Sequence, residues 1–182
     1  MLTTAGSGPR ESVLFAYYVS GAGPLLRDVM RRSRSKRETL LAKSLQELEG
    51  DFWGPIGAGE THLIRECLRL RKVPLSQLTD SNLRLLIGQQ IGLQHLVPLA
   101  LERLKTNPWS DSLYPGDLLA AVLRVDAEFW RGEPALLAWA LSIAHSAVGD
   151  WEQLGGGPKS LTGFRYVKKS LAELEAKTHE NA

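Results

Sequence analysis

The side chains able to do chemistry in this chain are few and scattered. Its four histidines are His62, His95, His145 and His179. No two form an HExxH pair, the spacing that turns two imidazoles toward one zinc ion from a single helix face. The one cysteine, Cys67, has no histidine close enough in sequence to suggest a nucleophile–base dyad. It falls on the apolar side of a helical stretch, where cysteine behaves as a small core residue. A lone cysteine also excludes an intramolecular disulfide and a zinc finger, and it fits a reducing compartment. The segment EQLGGGPKS, which ends at Ser160, has the look of a phosphate loop. That pattern requires a preceding strand and an amide before the lysine, whereas Pro158 has no N–H to give. No catalytic group, metal site or cofactor site emerges.

Charge and aromatic content give two binding candidates. Asp111, Asp117, Asp126, Glu128 and Glu133 are interleaved with Trp109, Tyr114, Phe129 and Trp130. One reading is helix capping and solvation, with Trp130 in the core. The other is an acidic, aromatic-bearing surface on which a basic partner docks. The second candidate is RRSRSKR at 31–37. Residues 1–37 hold seven Lys/Arg against two acidic residues, a net +5, while the remaining 15 basic and 18 acidic residues give −3. The overall charge of +2 hides a basic front on a mildly acidic body. The arm could meet nucleic-acid phosphates, yet it lacks neighbouring aromatics for stacking, and a solvated arm fits it as well.

The elements that must position these groups read as helices. Leu40, Leu41, Leu45 and Leu48 have helical spacing from about Arg37 to a terminating Gly50. After the loop DFWGPIGAGE, the stretch THLIRECLRLRK predicts a helix with Leu63, Ile64, Cys67, Leu68 and Leu70 inward, its basic end suiting the helix dipole. Thr79 caps a third helix. Gly88 and Gly92, at roughly 1 kcal/mol each inside a helix, predict a break at 88–92 and a new helix from about Leu93 to Lys105. Gln89 and Gln90 are placed to bond the backbone groups freed there. Pro98 then implies a kink or a later start. LLAAVLRV, a helix from about Asp126, LLAWALSIAHSAV, a loop GDWEQLGGGPKS and LTGFRYVKKSLAELEAK complete the series. Period-2 alternation is absent. The expectation is an all-α protein of about seven to nine short helices, with a basic arm at 1–36 and one helical domain at 37–182. The run VLFAYYV is too short to span a bilayer and makes a poor signal peptide.

An ordered set of motifs runs through the middle of the chain: LQELEGDFWGP at 45–55, the lead-in RKVPLSQLT, the core LRLLIGQQIGLQHLVPLALERL at 83–104, and YPGDLL. Over about residues 38–130 this resembles one family of bacterial contact-dependent growth inhibition (CDI) immunity proteins. The resemblance implies a non-catalytic protein in the cytoplasm of the producing cell, with no cofactor. Its implied partner is the toxic C-terminal domain of a cognate effector, often a nuclease, blocked stoichiometrically. On this reading the loops carrying Asp51, Trp53, Tyr114 and Asp117 lie near one another and border the toxin-facing surface. Trp109, Asp111, Asp126 and Glu128 are the further candidates. The alternative is a helical adaptor, or a nucleic-acid-associated protein using the basic arm.

Overall fold

The computed structural model describes residues 34–54, 59–153 and 161–179. Most of the basic arm and the phosphate-loop-like segment lie outside the described residues. The chain divides into two units, Met1–Leu41 and Ala42–Ala182. Within the first, residues 34–41 are helical, and Arg34 Nε donates to Glu38 Oε1 one turn on at 3.0 Å.

The second unit is all-helical among its described residues: α1 (Leu45–Glu49), α2 (His62–Leu70), a 3-10 turn (Leu75–Gln77), α3 (Asp80–Gly88), α4 (Leu93–Thr106), α5 (Asp117–Leu123), α6 (Ala127–Gly132), α7 (Pro134–Gln153) and α8 (Leu161–His179). Its only extended pairings there are the isolated bridges Ser44–Pro74 and Asp111–Pro115.

Local chemistry explains most boundaries. The continuous helix expected from Arg37 to Gly50 is instead interrupted before Ser44. That residue caps α1 in a reciprocal box: the Ser44 hydroxyl receives the Glu47 N–H, and the Glu47 carboxylate receives the Ser44 N–H. These bonds hold the Glu47 carboxyl below its usual range. Gly50 ends α1 in the left-handed region, φ 64°. Thr79 caps α3 and pairs reciprocally with Asn82. The break between α3 and α4 falls where the glycines place it, but the two glycines differ. Gly92 has φ 64°, and a Cβ there would stand 2.7 Å from the Leu45 side chain. Gly88 is exposed, with open space around it, and relieves no packing. Gln90 bonds the end of α3 through Nε2 to the Ile87 carbonyl (3.4 Å), and its Oε1 accepts the N–H of Asp126 (3.1 Å), which precedes α6, so it ties the break to a distant part of the chain. Pro98 does not delay α4, which starts at Leu93 and runs through it.

Two expectations are corrected in extent. Leu63 and Ile64 are 42% and 41% exposed, so α2 buries only Cys67, Leu68 and Leu70. The segment from Gly149 to Gln153 is not loop but the last turn of α7, anchored by Trp151, whose ring lies 5.1 Å from Trp109 and 5.8 Å from Phe164.

At the centre sits α5, every residue of which is buried. It packs on α3 and α8, and less extensively on α4 and α7. Each of its buried leucine side chains contributes roughly 1.5–3 kcal/mol relative to an exposed one. Its N-terminus thus fixes the loop that precedes it. Arg103 of α4 ties down the start of α3, donating to Asp80 Oδ1 (2.8 Å) and to the Leu78 carbonyl (2.7 Å).

Candidate partner-binding surface

The first candidate loop follows α1. Arg71, the residue just past α2, is 3% exposed, and its guanidinium organises this loop. It donates to Glu49 Oε2 at 2.6 Å and to the Asp51 carbonyl at 3.0 Å, and it approaches Asp51 Oδ2 at 3.4 Å. The same group lies 4.1 Å from the centre of the Trp53 ring, whose Nε1–H donates to Asp51 Oδ2 at 2.6 Å. A planar guanidinium can fork between a carboxylate and a carbonyl while stacking on an indole, a combination lysine cannot supply. The Arg71 carbonyl in turn accepts the Gln46 N–H at 3.0 Å, which fastens the arginine to α1. Asp51 and Trp53 are therefore joined in one network, and both keep part of their surface in solvent. Phe52 between them is 69% exposed.

The second loop, 107–117, is held by different neighbours. Gly116 (φ 82°) leads into α5, and a Cβ there would lie 2.8 Å from the Trp109 ring and 3.0 Å from Val167. Gly163 of α8 rests directly on the Pro115 carbonyl, leaving no room for a side chain. Trp109 is half-buried against Trp151 and Phe164. Tyr114 stacks on Tyr166 at 5.4 Å, and burial pushes its phenol up from the ordinary value. Asp117 is 1% exposed. Its carboxylate accepts from the Ser112 hydroxyl and from the Leu113 N–H (2.8 Å), with Arg84 Nε at 3.4 Å, an ion-pair separation without hydrogen-bond alignment. A carboxylate so buried cannot meet a partner directly; its structural role is to fold the loop back on itself. Asp111 and Leu113 remain on the outside, Leu113 at 70%. Asp126 and Glu128 are exposed at the start of α6.

Arg71, Phe52, Arg84 and Tyr166 were not singled out by the sequence. Arg71 reads there as a dipole-compensating helix end, because its acidic partners are twenty or more residues away. Phe52 offered one signal: an aromatic within a Gly/Pro-rich loop that no capping or turn requirement explains.

Other chemistry-bearing groups lie apart from these loops in sequence. Burial pushes the Cys67 thiol up, away from the thiolate. His145 lies 2.9 Å from Glu175 in an exposed pair between α7 and α8. A groove of about 230 Å³ between α4 and α7, lined by Leu104, Pro108, Trp139 and Ile143 among others, presents no carboxylate, imidazole or thiol. Among the described residues, no three His, Cys, Asp or Glu side chains group as metal ligands, and no helix is long and apolar enough to cross a membrane.

Aromatic and acidic side chains on braced loops of a helical body are features of the kind that serve protein–protein recognition. A model of the CDI immunity proteins matches residues 47–139, about half of the chain, from within α1 to the opening turns of α7. The chain belongs to the CDI immunity proteins, and its role is that of an immunity protein. Neither curated proteins nor solved structures return a match.

Proposed function

We propose that this immunity protein neutralises the toxic C-terminal domain of a cognate CDI effector by binding it stoichiometrically, without catalysis, in the cytoplasm of the producing cell. The family match over residues 47–139 carries this reading. The body's net −3 outside the basic front supports a partner with a basic face, such as a nuclease, though a charge this small gives only modest steering. In this reading Asp51, Asp111, Asp126 and Glu128 offer carboxylates to the toxin and Trp53 an indole edge. Trp109, Tyr114 and Asp117 keep the second loop in shape. Binding resides in residues 37–182, and the basic arm is dispensable for it.

The test is co-expression in a toxin-sensitive cell with the toxin domain encoded at the end of the adjacent upstream effector gene. Growth rescue that depends on this chain, with a complex recovered from the same cells, is the expected result. Cells that die despite full expression of the chain would remove the proposal.

A further inference from the structure

We propose that Phe52 is the anchor of the toxin interface, seated in an apolar pocket of the toxin domain that is rimmed by basic side chains. The inference rests on the reading of the chain as a toxin-binding protein and names the contact that reading leaves open.

Three observations carry it. Among the described residues, Phe52 is the most exposed aromatic side chain at 69%, against 47% for Tyr166 and 38% for Trp53. A phenyl ring held in water gains free energy from burial, and aromatic rings dominate the centres of protein interfaces. Its neighbours are also braced. Arg71 donates to the Asp51 backbone carbonyl on one side and stacks on the Trp53 ring on the other, which reduces the ordering left to the moment of binding. The surroundings carry carboxylate surface as well: Asp51, whose side chain is 60% exposed, adjoins Phe52, and Glu47 is exposed nearby, with buried Arg71 pairing Glu49 and Asp51 and Lys43 beside Glu47. A partner pocket receiving Phe52 would have to carry the opposite charge on its rim. The other loop is less suited to this role, because its aromatics Trp109 and Tyr114 are engaged with α7 and α8.

The experiment measures binding of the purified toxin domain to the full-length chain and to Phe52→Ala, Phe52→Glu and Leu113→Ala. Thermal midpoints serve as the folding control, since both positions are largely exposed. Phe52→Ala is expected to weaken binding by about thirtyfold or more, mainly through faster dissociation, with an unchanged midpoint. Phe52→Glu should be weaker still, and Leu113→Ala should stay within about threefold of wild type. A wild-type complex whose affinity changes less than about threefold on Phe52→Ala overturns this inference alone. So would a Phe52→Ala variant that loses only self-association of the free chain and keeps its toxin affinity. A wild-type chain that neither binds nor protects overturns the underlying reading as well.

Discussion

Replacing Arg71 with alanine removes the group on which the first loop is built. Three contacts disappear together: the 2.6 Å bond to Glu49, the 3.0 Å bond to the Asp51 carbonyl and the stacking on Trp53 at 4.1 Å. Hydrogen bonds to charged groups contribute roughly 1.5–3 kcal/mol each, and a partly desolvated cation–π contact about 1. Those values do not simply add. The side chains left behind, Glu49 at 25% and Asp51 at 60% exposure, can turn to water and recover part of the loss. The expected destabilisation is therefore about 2–4 kcal/mol, or roughly 5–15 °C in midpoint for a domain of this size. Arg71→Lys keeps the charge but not the fork or the flat face, and should recover less than half of the difference. Thermal unfolding followed by far-ultraviolet circular dichroism reads the midpoint, and brief proteolysis reads new cleavage within 50–54. An Arg71→Ala protein with wild-type midpoint and wild-type loop protection would refute the account of how this loop is held.

Other expectations concern separate parts of the fold. Gly163→Ala drives a methyl group into the Pro115 carbonyl oxygen, so α8 must retreat from the loop; calorimetry should show a loss of about 3 kcal/mol, near the upper end for overpacking. The Glu47 carboxyl is held low by its bonds to Ser44, so its contribution to stability is present above the unfolded value of about 4.3 and is lost as pH falls through the lower folded value. Urea midpoints of wild type and Glu47→Gln should accordingly differ at neutral pH and converge in acid; a constant gap down to the folded value would contradict the box. Deleting residues 1–36 should leave toxin affinity within about threefold. Salt-sensitive nucleic-acid binding that disappears with the same deletion, alongside loss of protection, would favour an adaptor working through the basic arm.

Features set by neighbours in sequence were legible before the structure. Gly50 and Gly92 sit at left-handed positions, Thr79 caps its helix, and Cys67 lies inside, because each depends on a turn or two of local chain. The Ser44 cap was equally local, but leucine periodicity ran unbroken across it and hid the Ser-x-x-Glu signal. Apolar spacing places Leu63 and Ile64 inward because it cannot tell how wide a face the neighbours will cover, and both are exposed. The bracing of the candidate surface was the least legible part. Arg71 meets residues about twenty positions earlier, and Gly163 meets a loop about fifty positions earlier, pairings created by the backbone bond from Gln46 to Arg71 and by the packing of α8 on α5. Asp117 reads in the sequence as a capping acid or a partner-facing carboxylate, yet its carboxylate is turned back into the preceding loop and sealed there.

The central claim is that the chain acts by occupying its toxin. The most direct test is a titration of the purified toxin domain's activity, at a concentration well above the dissociation constant, with increasing amounts of this chain. The account predicts a straight-line fall that reaches zero at one equivalent and recovers when the complex is separated. Full activity at a large excess of chain would contradict it, and so would complete, lasting inactivation by a small fraction of an equivalent, which would mean chemistry rather than binding.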